Sequence, residues 1–134
     1  MGRMLAALDI GTNTVLLQTV WDRAGEALAE HADHYRTTRL GERTDGSGRL
    51  SHDAMVRTLS AIREFIDRIP TGTSGQGIAA TTSAARDAAN RDEFLRPCAA
   101  ILGGEPLVLS GDEEARTVFA GATSDQPAAT TVVN

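Results

Sequence analysis

The chain has 134 residues, which is about one domain and enough for a single core without metal or disulfide support. It carries 18 acidic and 13 basic residues, and its net charge of −5 excludes a sequence-independent grip on a nucleic-acid backbone. Every one of the 13 basic residues is an arginine, which excludes a phosphate-loop lysine, a Schiff-base lysine and a lysine general base within the chain.

The apolar runs and the cysteine content of the sequence indicate the environment of the protein. No apolar run approaches the roughly 18 residues that a membrane-spanning helix needs, so no membrane contact is expected. Cys98 is the single cysteine, and no pattern of charged, apolar and small residues typical of a signal sequence precedes Leu5. These features predict a reducing, cytoplasmic environment.

The N-terminal third of the chain predicts three strands. Residues 4–10 (MLAALDI) and 14–21 (TVLLQTVW) are apolar runs separated by the turn residues GTN, a pattern typical of a β-hairpin. A third extended stretch is expected within residues 27–40. Residues 41–49 (GERTDGSGR) contain three glycines and no apolar side chain, which predicts a mobile surface loop.

A helix is expected immediately after this loop. Ser51 is a good N-cap, and an apolar stripe then recurs at helical spacing until Pro70. The members of the stripe are Met55, Leu59, Ile62, Ile66 and Ile69.

The second half of the chain predicts alternating strands and helices. Residues 76–81 (QGIAAT) are expected to form a short buried strand, followed by helical sequence from Ser83 in which Asn90, with Glu93 three residues on, caps a segment reaching Leu102. Pro97 lies inside that segment and predicts a kink, because proline lacks the N–H group that the helix needs. Residues 107–109 predict a strand.

Residues 111–122 predict the last helix, with a buried face of Ala115, Val118, Phe119 and Ala122. Residues 130–134 (TTVVN) are a β-type run without a following turn or polar tail. The expectation is therefore that residues 1–134 are the N-terminal subdomain of a longer protein, cut before a second subdomain.

Residues 9–14 (DIGTNT) combine an acid, a glycine, an amide and two hydroxyls. Gly11, Thr12, Asn13 and Thr14 suit a phosphate loop built from backbone N–H groups and hydroxyls. Asp9 would repel a phosphate, so its useful role would be to hold Mg²⁺, which needs few carboxylates. Taken alone, a plain hairpin turn is an equally good interpretation, because the same residues favour turns.

Residues 110–116 (SGDEEAR) contain two adjacent glutamates. If Ser110 is the N-cap, Glu113 completes a capping box with it. Glu114 is then turned about 100° around the helix and is free to act as a general base, ionised in the first helical turn. An ordinary exposed glutamate is the alternative.

Two arginines could each hold a pair of phosphate oxygens, namely Arg86 and Arg39. The alternative is a surface ion pair for each of them, with Asp87 or Glu42 as the nearby acid. The remaining candidates have ordinary structural interpretations: His31, His34 and His52 lie at the surface or a sheet edge, and Cys98 is a small core residue.

The motifs together resemble the Ppx/GppA phosphatase family of exopolyphosphatases and guanosine pentaphosphate phosphohydrolases. The resemblance rests on the order of DIGTNT, TRLGERTDGSGRLS, TTSAARDAANRDEFL and SGDEEAR, and it runs from about Met4 to the C-terminus. It implies a ribonuclease-H-like subdomain of the actin/Hsp70 type, with a mixed sheet of three N-terminal strands followed by alternating helices and strands.

The resemblance also implies a function: release of a terminal phosphate with Mg²⁺ from inorganic polyphosphate or guanosine penta- or tetraphosphate. Glu114 corresponds to the family's catalytic base, Arg86 to its phosphate-contacting arginine and Arg39 to the arginine that flanks the substrate channel. Asp9 and residues 11–14 correspond to the first phosphate loop. The family's second phosphate loop would follow Asn134, so the chain alone is expected to have little or no activity.

Two other functions remain open at this stage. One is a regulator that binds alarmone or polyphosphate without turnover, and the other is a kinase of the same superfold. The sequence does not decide the preferred substrate, the chain-length preference or the oligomeric state, and a homodimer of the longer protein stays open.

Overall fold

A computed structural model of the chain describes residues 2–27, 29–42, 46–70 and 75–122. The predicted order of three strands, helix, strand, helical region, strand and helix is confirmed, with the helical region after the fourth strand divided into two helices. The elements are β1 (Arg3–Ile10), β2 (Thr14–Asp22), β3 (Ala29–Thr37), α1 (His52–Asp67), β4 (Gly75–Thr81), α2 (Ser83–Asp87), α3 (Arg91–Leu102), β5 (Leu107–Val108) and α4 (Gly111–Ala122).

The strands form one mixed sheet in the order β3-β2-β1-β4-β5. β1 pairs antiparallel with β2, and β2 with β3, whereas β1 pairs parallel with β4, and β4 with β5. This arrangement confirms the expected ribonuclease-H-like mixed sheet. Because β1, β4 and β5 are parallel, their carboxyl ends lie at the same edge of the sheet, where open α/β sheets usually bind ligands.

One face of the sheet holds the hydrophobic core. Strand side chains alternate between the two faces, so every second residue of β1 and β2 points toward α1 and α3. The core includes Leu8, Ile10, Val15, Leu17, Ile62, Phe65, Phe94 and Cys98, all of which are buried. The expectation that Cys98 is a core residue on a helix is confirmed.

The opposite face is much more open. Leu5, Ala7 and Asp9 of β1 alternate with the core residues and therefore lie on this face. The expectation that β4 is a buried strand is wrong for Ile78, which pairs with Ala7 on this face and is 56% exposed. On the core side of β4, Thr81 is buried and Ala79 is half-buried.

The predicted buried face of α4 is also wrong where it is described. Ala115 is exposed and Val118 is 41% exposed, while the side chains of Phe119 and Ala122 lie outside the described part. Val118 lines a cavity that separates α4 from the sheet, and this gap explains its exposure.

The helix ends require two corrections. Helix α1 begins after Ser51, whose hydroxyl accepts a hydrogen bond from the Ala54 N–H (3.2 Å), as predicted. It ends at Asp67, however, so Ile69 lies beyond the helix and packs only at the margin of the core.

Asn90 precedes α3 but does not cap it with its side chain. Instead, its Oδ1 accepts a hydrogen bond from the Leu50 N–H (2.7 Å), and its Nδ2 donates one to the Leu50 carbonyl (3.1 Å). Asn90 is buried and Leu50 is buried, so satisfying these two backbone groups takes precedence over the cap.

Several expectations remain untested in this structure. Helix α3 continues through Pro97 to Leu102, and the predicted kink stays a prediction. The strand expected at residues 130–134 lies outside the described residues. No helix in the described ranges is long and apolar enough to cross a membrane.

Candidate functional site

The β1–β2 turn (residues 11–13) lies at the carboxyl edge of the sheet. The Gly11 N–H donates a hydrogen bond to the Thr14 carbonyl (3.0 Å), which closes the hairpin. A Cβ at position 11 would lie 2.9 Å from that carbonyl oxygen, so the turn requires glycine here. Among the described residues, no hydrogen bond uses the N–H groups of Thr12 and Asn13. The turn thus combines a hairpin with two donors that a ligand could use.

The segment after β3 (residues 38–41) donates hydrogen bonds to the backbone carbonyls of this turn. The N–H groups of Thr38 and Arg39 both donate to the Asn13 carbonyl (2.8 and 2.9 Å). The Gly41 N–H donates to the Thr12 carbonyl (3.0 Å). With both carbonyls occupied by protein donors, the turn is anchored on one side.

A hydroxyl pair connects the turn to α2. Thr12 Oγ1 lies 2.9 Å from Ser83 Oγ, at the first residue of α2. Ser83 was not among the site residues that the sequence predicted, although the hydroxyl-rich stretch TTS at positions 81–83 was the available signal. Thr12 and Ser83 also line a cavity of about 260 Å³ together with Asp87.

Two carboxylates face a second cavity on the open side of the sheet. Asp9, near the end of β1, and Glu114, in the first turn of α4, both line this cavity of about 380 Å³, here named the Asp9–Glu114 cavity. Burial, and then the negative charge of Glu114, raise the pKa of Asp9 above its usual range. The two carboxylates therefore lie close enough to repel one another, an arrangement that a bound cation would relieve.

The predicted capping box at the start of α4 is confirmed. The Glu113 carboxylate accepts a hydrogen bond from the Ser110 N–H (2.8 Å), and the Ser110 hydroxyl accepts one from the Glu113 N–H (3.2 Å). Glu113 is thus occupied by a structural role. Glu114 is half-buried and is the member of the pair that lines the cavity with Asp9.

Arg86, on α2, contacts Asp87 and the segment that precedes α4. Its Nε and Nη2 donate to the two carboxylate oxygens of Asp87 (2.8 and 3.0 Å), and its Nη1 donates to the Leu109 carbonyl (3.0 Å). The hydrogen bond to Asp87 is the largest cause of the raised pKa of Arg86, and the charge of Glu114 also contributes. The interpretation of Arg86 as the partner of Asp87 is confirmed, and it does not exclude contact with a ligand.

Arg39 is placed differently. Its side chain is exposed and forms no hydrogen bond or ion pair within the described ranges. The expected partner, Glu42, is paired with Arg57 instead (2.6 Å). The backbone of Arg39 has φ of 52°, a left-handed conformation that costs a non-glycine residue on the order of 1–2 kcal/mol. The hydrogen bond from its N–H to the Asn13 carbonyl (2.9 Å) holds Arg39 beside the turn in this strained conformation.

Asp9 and Glu114 are the carboxylates of this site that could hold a metal ion. In the described part of the chain, no three His, Cys, Asp or Glu side chains come together. Mg²⁺ does not require such a cluster, because it keeps several waters and is often held by one or two carboxylates and the phosphates of a substrate. The Asp9–Glu114 pair fits that requirement. His31 and His34 lie on the edge strand β3 and His52 begins α1, the peripheral positions that were expected.

The predicted residues therefore fall into two adjoining groups. Asp9, Glu114 and Arg86 interact electrostatically around the Asp9–Glu114 cavity. The β1–β2 turn and Arg39 form the other group, which Ser83 joins to the helix that carries Arg86. Thr14 begins β2 and contributes its carbonyl to the turn.

Comparison with known proteins supports one family. A sequence profile described as the Ppx/GppA phosphatase family matches residues 19–134. The chain belongs to the Ppx/GppA phosphatase family. Exopolyphosphatase 2 of Mycobacterium tuberculosis is similar to this Ppx/GppA chain, with 35% identity over 129 residues that cover 90% of this chain and 40% of that protein.

Solved Ppx/GppA structures have the same fold. The crystal structure of the Aquifex aeolicus family member is similar with a TM-score of 0.84 and 28% identity, covering 95% of this chain and 42% of that one. The crystal structure of an exopolyphosphatase-like protein is similar with a TM-score of 0.81 and 34% identity, covering 99% and 38%. This Ppx/GppA chain thus spans about two fifths of the length of the relatives it matches.

Proposed function

We propose that this chain is one lobe of a Mg²⁺-dependent phosphohydrolase that releases terminal phosphate from inorganic polyphosphate or guanosine pentaphosphate. The observation that carries the proposal is the pair of carboxylates, Asp9 and Glu114, that line one cavity beside a phosphate-type turn and an arginine. Similarity to an exopolyphosphatase over 90% of the chain supports the same class of reaction. The proposed location is the cytoplasm.

Glu114 is the proposed general base. It lies in the first turn of α4, at the end of the helix where the backbone dipole is positive. The capping box reserves Glu113 for the helix, so only one of the two adjacent glutamates is available to orient or deprotonate a water molecule.

Asp9 is the residue proposed to hold Mg²⁺. When bound, the metal would neutralise part of the phosphate charge. Arg86 would contribute a fixed positive charge near Glu114, and the β1–β2 turn would donate the N–H groups of Thr12 and Asn13 to phosphate oxygens. Arg39 would face the part of the phosphate substrate that extends beyond the turn.

The lobe supplies one wall of the proposed phosphate site. The chain spans 40% of a similar exopolyphosphatase, and the proposal assigns the opposite wall to a second lobe. We therefore expect the 134-residue chain by itself to release little or no phosphate from long-chain polyphosphate in the presence of Mg²⁺. Robust turnover by this chain alone would contradict the two-lobe proposal.

The catalytic role is tested in the protein that contains both lobes. Glu114→Gln is expected to lower phosphate release about 10²–10⁴-fold, the usual range for loss of a general base, while binding of polyphosphate is retained. Asp112→Asn is the matched control, because Asp112 is an exposed acid in the same helical turn. Its activity is expected to stay near that of the unaltered protein.

The same experiment separates the alternatives. A regulator would bind polyphosphate or guanosine pentaphosphate with no turnover in either the unaltered protein or the variant. A kinase would consume ATP in the presence of an acceptor. Parallel assays with polyphosphate and guanosine pentaphosphate would decide the substrate, and the molar mass in solution would test for a homodimer.

A further inference from the structure

Arg86 is held by more protein contacts than a freely moving surface arginine would have. Its guanidinium makes a two-point contact with Asp87, through Nε to Oδ1 (2.8 Å) and Nη2 to Oδ2 (3.0 Å). A third donor, Nη1, contacts the Leu109 carbonyl (3.0 Å). These contacts approach the guanidinium from α2 and from the segment between β5 and α4.

The Leu109 carbonyl is itself fixed to the sheet. The Leu109 N–H donates a hydrogen bond to the Thr81 carbonyl (3.0 Å), at the end of β4. Arg86 is anchored at its backbone as well, because its N–H donates to the Thr82 carbonyl (3.0 Å). The backbone and the guanidinium of Arg86 are therefore both held near the carboxyl end of β4.

The contacts leave donors for a ligand. A guanidinium carries five N–H groups in a rigid planar arrangement. Within the part of the chain that the structure describes, the three contacts leave two of them, one on each Nη atom. Two N–H groups on neighbouring nitrogens match a pair of phosphate oxygens.

We infer that Asp87 is a positioning residue that sets the plane of the Arg86 guanidinium and so presents its two remaining N–H groups to a phosphate. The inference rests on the proposed function, because it assigns Arg86 to phosphate binding. Asp87 itself carries a negative charge and acts only through Arg86.

The exposure of the pair argues against a purely structural role. The Arg86 side chain is 28% exposed, whereas that of Asp87 is 65% exposed. An ion pair with so exposed a partner contributes little to folding stability, since water screens the attraction. The contact can nevertheless restrict the orientation of the guanidinium, and contacts that hold a binding group in position support the affinity and activity of a site.

The test is a double-mutant cycle in the protein that contains both lobes. The variants are Asp87→Ala, Arg86→Ala and the combination of the two. Asp92→Ala is the matched control, because Asp92 is an exposed acid in the first turn of α3 and its replacement changes the net charge equally. Each variant is measured for kcat/KM with long-chain polyphosphate and for binding of tripolyphosphate, and its melting temperature is recorded.

Asp87→Ala is expected to lower kcat/KM and tripolyphosphate affinity roughly tenfold, as for other outer-shell contacts. In the Arg86→Ala background the same replacement is expected to change both by less than about twofold, since coupled residues are non-additive. Asp87→Asn keeps one acceptor oxygen and is expected to fall between Asp87→Ala and the unaltered protein. Asp92→Ala should leave both readouts unchanged.

Four results would overturn the inference. An equal loss from Asp87→Ala with and without Arg86 would show that Asp87 acts independently. An increase in affinity would show that Asp87 competes with phosphate for the guanidinium. A loss with Arg86→Ala but none with Asp87→Ala would refute positioning while leaving the proposed function intact, whereas no effect of Arg86→Ala would refute the proposed phosphate contact itself.

Discussion

Gly41, in the loop after β3, packs closely against Thr12 of the β1–β2 turn. A Cβ at position 41 would lie 2.5 Å from Thr12 Cγ2 and 3.7 Å from Ala84 Cβ. Contacts below 3.0 Å are essentially never seen for real Cβ atoms, so Gly41→Ala forces either Thr12 or the loop to move. The φ of Gly41 is not positive, so alanine would suffer from the collision and not from its backbone conformation.

Both ways of relieving the collision lose a contact. Rotation of the Thr12 side chain separates its hydroxyl from Ser83 Oγ, now at 2.9 Å. Movement of the loop weakens the hydrogen bond from the Gly41 N–H to the Thr12 carbonyl. Overpacking of this kind typically costs about 1–3 kcal/mol, and a lost hydrogen bond about 1 kcal/mol of that.

The assay is thermal and urea unfolding of the 134-residue chain. For a domain of this size, the expected cost corresponds to a decrease in melting temperature of roughly 4–12 °C. Gly46→Ala is the matched control, because a Cβ at position 46 meets nothing within 4 Å. It is expected to be neutral or to stabilise the chain by up to about 1 kcal/mol through the unfolded state. Equal melting temperatures for the two variants would refute the close approach between Gly41 and Thr12.

Three other predictions concern the core and the pH dependence. Asn90→Ala leaves the N–H and the carbonyl of Leu50 buried without their partner, so we expect the free energy of unfolding, measured from the urea midpoint, to fall by about 2–5 kcal/mol. A decrease below about 0.5 kcal/mol would contradict the role of Asn90 in binding the Leu50 backbone. Burial raises the pKa of the Cys98 thiol to about 11, so iodoacetamide at pH 8 should modify it only in urea, and rapid reaction of the folded chain would contradict its burial. Because burial and Glu114 raise the pKa of Asp9, ionised Asp9 destabilises the fold. Asp9→Asn should therefore be more stable than the unaltered chain at pH 7, and this difference in stability should shrink as the pH falls through the raised pKa of Asp9 toward 3.8. A variant that is less stable than the unaltered chain at pH 7 would contradict the conclusion that ionised Asp9 destabilises the fold.

The roles of the two adjacent glutamates show how local signals and folding combine. The spacing of Ser110 and Glu113 predicts the capping box, because both partners lie within one helical turn. The same spacing leaves Glu114 unassigned, and only the fold brings it to the cavity of Asp9. The proposal that Glu114 is the base therefore rests on the tertiary structure as well as on the motif.

The failures of the sequence analysis concern long-range contacts. Asn90 has the residue type and spacing of a helix cap, but Leu50, 40 residues earlier in the chain, competes for its side chain. Val118 and Ile78 are apolar and were expected to be buried, yet both line the cavity between α4 and the sheet. Hydrophobic periodicity identifies an apolar face and does not say whether a neighbour covers it.

The sequence by itself determined the order of strands and helices, the hairpin at residues 11–13 and the N-cap of α1 at Ser51, because each depends on residues that are near neighbours in the chain. Only the tertiary structure decided which polar groups meet at the carboxyl edge of the sheet. Thr12 and Ser83 are 71 residues apart and become partners because β1 and β4 pair in parallel and end together. The same strand order places Asp9 and Glu114 at one cavity, because parallel neighbours bring their carboxyl ends to the same edge of the sheet. Arg86 follows β4 and interacts with the charge of Glu114.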